Sequence, residues 1–382
     1  MNSKERVKAA IALEQPDMTP LGFYVVDHDT ISNIIGRPTY LRNRPAMQKA
    51  LWEGRRDEIV ASMKEDLKDL YTEIDCVDLL TFKEAQIMPP AGYRPEDAPK
   101  EIADNTYESA NGNIWKLDPT TNSIEVVHHG DRPDDLPTHT IEEFSDRTPP
   151  EEPDPSCFEL SDFLVEEFGD ERYIAGYSGG IVAVTMLGGM EHGLMTMALQ
   201  PEVIKAANEQ AVFRAQHADS FRIRPGTDGV LIEQDMAGTN GPMLSPDMFK
   251  ELCYPYYRER IAQIKQHVDQ VTLHNCGNNL PIMDMLVDGG IDAYESIQTN
   301  SAMSITALID GYGDRLCVWG AVALEDLNTG TPEDARKTVQ RSYEDAGDHP
   351  GFILGPSHSI AFGTKYDNFM AMLDEHVKLR DR

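Results

Sequence analysis

The run Val271-Thr272-Leu273-His274-Asn275-Cys276-Gly277 places an imidazole and a thiol two residues apart. Apolar residues lead into it as into a short buried strand, and on a strand side chains two apart project to the same face. An imidazole and a thiol on one face, followed by a glycine that permits a turn, form a donor pair suited to zinc. A buried cysteine beside a hydrogen-bonded histidine has the same spacing, because cysteine is often buried. A second histidine, His358 in Gly355-Pro356-Ser357-His358-Ser359, also follows an apolar run. His274, Cys276 and His358 would make a three-ligand set with a fourth position open to substrate or water, the layout of a catalytic zinc. An ion held there lowers the pKa of a bound thiol or water.

Acids stand in comparable places. Glu233 and Asp235 lie at the end of one apolar run and Glu295 at the end of another. Glu233 and Asp235 point to one side and are candidates for a paired acid and base. All three are expected to orient ligands or to handle a proton, although a solvated strand end has the same pattern. Cys317 sits near the start of its run and reads as a buried thiol, with replacement of His358 as a ligand its alternative role. His128 and His129 adjoin and cannot both face one ligand from an extended chain. Met186, Met190, Met195 and Met197 read as core packing at the start of a helix, and Gly188-Gly189 before them leaves room for an anion.

Eight short apolar runs can supply the strands that position these residues: 21–26, 74–80, 173–177, 229–233, 270–274, 291–296, 316–321 and 352–355. Between most of them lie helical patterns, at 45–70, 191–222, 245–268, 280–287, 304–308 and 331–343, with a last one at 366–379. Ser245-Pro246-Asp247 and Thr331-Pro332-Glu333-Asp334 are helix starts, each with a capping hydroxyl, proline in the first turn and acid beside it. Strand alternating with helix implies a parallel sheet. Eight such units in 382 residues favour an α/β fold of the (β/α)8 TIM-barrel type, in one domain covering 1–382. A doubly wound sheet is the alternative, but no Gly-x-Gly-x-x-Gly follows the first run. Residues of about 83–155, rich in Pro, Asp, Glu and Thr, break the alternation as an excursion after the second strand. They carry an expected hairpin around Asn111-Gly112, either a cover for the barrel mouth or a surface loop.

The chain holds 65 acidic and 34 basic residues, a net charge of −31. That excess disfavours nucleic acid and anionic membrane surfaces as partners, and it also describes a well-solvated surface such as a saline habitat favours. Five scattered cysteines are no disulfide framework and suit a reducing compartment. With no long apolar stretch and no signal-peptide pattern, a cytoplasmic location is expected.

Several segments resemble the uroporphyrinogen decarboxylase superfamily. They are Glu5-Arg6-Val7-Lys8-Ala9-Ala10-Ile11 with Pro16-Asp17 and Pro20, Gly189-Met190-Glu191, residues 229–235, Gly241-Pro242-Met243-Leu244-Ser245-Pro246, His274 to Gly277, Gly290-Ile291-Asp292, Gly330-Thr331-Pro332-Glu333, and residues 351–360. The resemblance runs nearly the whole length and implies a (β/α)8 barrel. One branch of the superfamily decarboxylates uroporphyrinogen without a metal, gripping propionates with an arginine-rich segment near the first strand. Here that stretch reads Gly22-Phe23-Tyr24-Val25-Val26-Asp27-His28, without arginine. The other branch comprises zinc-dependent methyltransferases that pass a methyl group between a corrinoid protein and a thiol or pterin. Their zinc sits on a His-x-Cys and a later Cys. His274 and Cys276 match the pair, while His358 stands where the later Cys would be, which disfavours a thiol acceptor. The expected function is therefore a zinc-dependent methyltransferase or demethylase with a small-molecule substrate and a corrinoid-protein partner. The alternatives are a metal-free decarboxylase in which Asp235 stabilises a cationic intermediate, and a protein that binds a corrinoid partner without catalysis.

Overall fold

The structure, a computed structural model, describes residues 1–130 and 138–381. The chain opens with α1 (Ser3–Ile11), started by a capping box in which Asn2 accepts from the Glu5 backbone N–H and the Glu5 side chain accepts from that of Asn2. Helices α2 (His28–Ile35), α3 (Arg44–Trp52) and α4 (Arg56–Glu73) follow, then strand β1 (Leu79–Thr81). Strands β2 (Lys100–Ala103), β3 (Thr106–Glu108), β4 (Ile114–Asp118) and β5 (Ser123–His128) form a separate antiparallel sheet. Tyr107 pairs with Trp115 across the Asn111-Gly112 turn. This sheet docks on α3, where Trp52 packs against Tyr107 and Trp115 and the Asn122 side chain accepts from the Arg44 backbone N–H.

After α5 (Glu159–Phe168) the alternation resumes: β6 (Tyr173–Gly176), α6 (Met190–Leu199), α7 (Pro201–Arg222) and β7 (Gly229–Glu233). A two-stranded ribbon, β8 (Ala237–Gly238) with β9 (Gly241–Pro242), precedes α8 (Pro246–Leu252) and α9 (Tyr254–Ile264). The rest runs β10 (Gln270–His274), α10 (Met283–Asp288), β11 (Ala293–Glu295), α11 (Ile305–Tyr312), β12 (Cys317–Val322), α12 (Leu324–Asn328), α13 (Pro332–Ala346), β13 (Phe352–Pro356) and α14 (Tyr366–Leu379).

Among the described residues, seven strands make one parallel sheet in the order β1-β6-β7-β10-β11-β12-β13. Leu21 bridges to Leu354 on one edge strand and Gly22 to Leu79 on the other, so the curled sheet is TIM-barrel-like. The run 21–26 is not a regular strand. Its Leu21 N–H goes to the Asp78 carboxylate and its Val26 N–H to Glu84, side chains that take the place of ladder carbonyls. Inside the sheet pack Tyr173, Leu231, Trp319 and Ile353, and outside it the apolar faces of the helices.

Three helical patterns are broken. The 45–70 pattern splits at Gly54, in the left-handed region at φ +71°. The 191–222 pattern splits before Pro201, and the 245–268 pattern before α9, whose second residue is Pro255. In each a residue that cannot continue the ladder interrupts an apolar period that carries on regardless. The four methionines also divide. Met197 is buried, but Met190 and Met195 lie on the exposed side of α6 and contribute nothing to the core.

Candidate functional site

The mouth of the sheet is defined by register. His274 ends β10 and pairs with Glu233 at the end of β7 and with Glu295 at the end of β11. Side chains in register on neighbouring parallel strands project to the same side, about 4.8 Å apart, so Glu233, His274 and Glu295 form a row. His274 Nδ1 donates to Glu295 Oε2, and both side chains are buried. Burial works against a charged imidazole, but Glu295, then Glu233 and Asp235, outweigh it and raise the His274 pKa. Glu295 Oε1 is buried without a partner.

The row is braced by two residues that the sequence reading did not single out. Tyr24 stacks flat on the His274 ring, centroids 3.8 Å apart, and its hydroxyl bonds to Glu233. Lys83 pairs with Glu233 and lies over the rings of Tyr24 and Tyr177 at 5.1 and 5.7 Å. Burial pushes the Glu233 carboxyl up, but Lys83 and the Tyr24 hydroxyl overcome it and hold the pKa below the usual value. Tyr24 lies within the first apolar run and Lys83 three residues beyond the second, so neither carries the strand-end signal that marked Glu233 and Glu295.

The turn after β10 is rigid. Asn275 is fully buried: its Oδ1 accepts from the Met236 N–H at 3.0 Å, its Nδ2 donates to Asn279, and its carbonyl accepts from Tyr294. Gly277 has φ +83°, and a Cβ there would meet the Ala237 carbonyl oxygen at 2.6 Å, so only glycine fits. Cys276 consequently projects beyond the strand, with Sγ 3.2 Å from Asp235 Oδ1. Burial and then the Asp235 charge push its thiol up to about 12. Glu233 and Asp235 therefore serve different neighbours and are not paired with one another.

His358 lies on the loop after β13, held by Asp27 and Asp29, which accept the N–H groups of Phe362 and Gly363. Its ring meets that of His274 edge-on, centroids 5.6 Å apart. Its Nδ1 accepts the Ser359 N–H at 2.7 Å. Desolvation, followed by the nearby His274, lowers its pKa. Cys317 is at the opposite end of the sheet, at the start of β12 and fully buried, so it cannot replace His358.

The mouth thus gathers all six expected residues, but among the described residues no three His, Cys, Asp or Glu side chains surround one point where an ion could sit. The Cys276 thiol is turned to Asp235 and His358 Nδ1 to Ser359. The donor chemistry still fits a dication. With Nδ1 held against the Glu295 carboxylate, loss of the Nε2 proton to an incoming dication would free Nε2 as a lone-pair donor, the arrangement usual for a metal-binding histidine. Glu233, Asp235 and Glu295 have one lysine among them, and Glu295 Oε1 is unpartnered.

The uroporphyrinogen decarboxylase (URO-D) family pattern matches residues 130–378. No curated protein sequence is matched. Among solved structures, a methyltransferase from Methanosarcina mazei superposes with a TM-score of 0.63 over 99% of this chain and 99% of that chain, at 16% identity. At that identity the likeness speaks to fold alone. With the family pattern spanning most of the chain, this protein belongs to the uroporphyrinogen decarboxylase family.

Proposed function

We propose that the chain is a methyltransferase, moving a methyl group between a methylated small molecule and an acceptor. The donor is that small molecule or a methylated corrinoid on a partner protein, and His274, Cys276 and His358 would hold zinc. We read residues 21–26 as the eighth stave of a (β/α)8 barrel and 83–155 as an insertion in a single domain. The observation that carries the reading is the row Glu233–His274–Glu295, with the His274 tautomer set by a buried carboxylate. Bound zinc would supply a Lewis acid that lowers the pKa of a bound thiol or water. The chain's own residues do the rest. Glu295 fixes the imidazole, Tyr24 holds its plane, and Asp235 is placed to take the Cys276 proton. Lys83 offsets the charge of Glu233.

Uroporphyrinogen decarboxylation is disfavoured on charge. A polycarboxylate substrate needs cations at the mouth, but Lys83 is committed to Glu233 and Arg42 to Asp27. Transfer of a deuterated methyl from methylcobalamin to a panel of thiols, amines and phenols, read by mass spectrometry, tests the proposal. Labelled product from the wild type, reduced about 100-fold or more by His274→Ala, is expected. Carbon dioxide release from a porphyrinogen with no labelled product would refute it.

A further inference from the structure

A second cavity lies beside the mouth, and its chemistry is opposite in sign. Residues 150–153 cross over α7 and leave a cleft of about 410 Å³. Its floor is apolar, from Val182, Ala215, Ala218 and Phe221, and its polar groups include Arg214 and Arg222. Among the described residues Glu151, on the exposed strap, is the one acid lining it. Two guanidiniums against one carboxylate is a local excess of positive charge in a chain of net charge −31.

Arg222 differs from most buried and partly buried arginines of the chain and, like Arg380 at the far end of the chain, keeps a buried Nε without a partner. Arg6 pairs with Asp17 and Asp78, Arg56 with Glu159, Arg224 with Asp162, and Arg260 with Asp219. Among the described residues Arg222 has neither an ion pair nor a hydrogen bond, and its Nε is buried without a partner. A guanidinium carries five donors in a planar fork suited to an anion's oxygens. Leaving the buried Nε–H unmet costs free energy that a ligand would recover. Arg214, by contrast, is exposed and donates to the Thr148 carbonyl at 3.3 Å, one contact that leaves most of its fork free.

The wall of the cleft is fixed. The fully buried Arg260–Asp219 pair holds it: Asp219 accepts from the Gly179 N–H at 2.7 Å, and Arg260 donates to the Gly180 carbonyl at 2.9 Å. A Cβ on Gly179 would meet the Ala215 carbonyl oxygen at 1.9 Å, so the loop packs directly on α7. The same loop continues to Val184, whose N–H and C=O both bond the Gln234 side chain, between Glu233 and Asp235. The cleft is thus preformed and tied to the mouth.

We propose that this cleft binds a small organic carboxylate, its charged end on Arg222 and Arg214 and its apolar body on the floor of α7. The volume falls within the range of small-molecule sites, which combine an apolar lining with a few polar anchors. The inference does not depend on the reaction at the mouth, because none of its residues belongs there.

Calorimetric titration of the full chain with benzoate tests it, with benzamide and inorganic phosphate as comparison probes. Benzoate should bind the wild type and His274→Ala alike, weaken at least about tenfold in Arg222→Gln, and weaken less in Arg214→Gln. Benzamide should not bind. Should Arg222→Gln unfold, as circular dichroism would reveal, Arg222→Lys should retain part of the affinity and the exposed Arg214→Gln still reports. Benzoate binding undiminished in both glutamine variants, equal binding of benzamide, or no benzoate binding at millimolar concentration would overturn the proposal. Phosphate binding as tightly as benzoate, with the same dependence on Arg222, would make it a site for the inorganic ion and overturn the organic reading.

Discussion

The two ends of the parallel sheet treat carboxylates differently. At the end where the strands begin, Asp78, Asp228 and Asp292 each precede a strand and accept a backbone N–H from the neighbouring chain segment, at Leu21, Ile174 and Val271. Each is also matched by a cation: Arg6 for Asp78, Lys4 and Lys8 for Asp228, and Lys265 for Asp292. Where the strands finish, Glu233, Asp235 and Glu295 share one lysine among the described residues, and Glu84 is buried there without an ion pair. Matched acids close the base of the sheet, whereas the mouth carries more acid than cation, and there burial pushes the Glu84 carboxyl up. The first arrangement serves stability and the second costs some of it for chemistry.

The largest effect expected from this contrast is at the base. Asp78→Ala strips the buried Arg6 of a partner and leaves the Leu21 N–H without its acceptor, so denaturant unfolding should show a loss of about 3–5 kcal/mol. A loss below about 1 kcal/mol would mean that the matched acids do not hold the sheet together.

Glu84 gives the mouth its own pH signature. Burial raises its pKa to about 7 from an ordinary 4.5. Between those values the folded chain binds more protons than the unfolded one. Its stabilising contribution is therefore fully present below about pH 4.5 and is lost as pH rises towards 7, by up to ~3 kcal/mol. Glu84→Gln should flatten that slope in melts compared across this range, and an unchanged slope would remove Glu84 as its cause. The smallest change in stability is expected for Asp235→Asn, within about 1 kcal/mol. The variant should nonetheless make Cys276 easier to alkylate at neutral pH, since a like charge beside the thiol is gone. Iodoacetamide labelling resolved by peptide mass spectrometry reads this directly.

How far the sequence reveals this molecule varies with the kind of interaction. Strands β7 and β10 begin and end where the apolar runs do, because their neighbours supply regular ladders. The first run does not become a regular strand, since Asp78 and Glu84 take up the Leu21 and Val26 N–H groups from distant positions. Helix periodicity persisted through Gly54, Pro201 and Pro255, because the apolar face is continuous even where the backbone is broken. At the mouth, His274, Glu233 and Glu295 were legible as strand ends, and the register then aligned them. Tyr24 and Lys83 were missed because neither residue type suggests a metal or proton role by itself, and their roles come from contact with His274 and Glu233. The aim of the Cys276 thiol at Asp235, and of Ser359 at His358, depends on rotamers that no spacing encodes.

Zinc stoichiometry measured by inductively coupled plasma mass spectrometry bears most directly on the mouth. The full chain equilibrated with zinc should retain about one ion. His274→Ala should lose it with its circular dichroism unchanged, and His358→Ala should bind it more weakly. A wild-type chain that is folded yet stays metal-free, or a His274→Ala variant that keeps a full equivalent, would contradict the account.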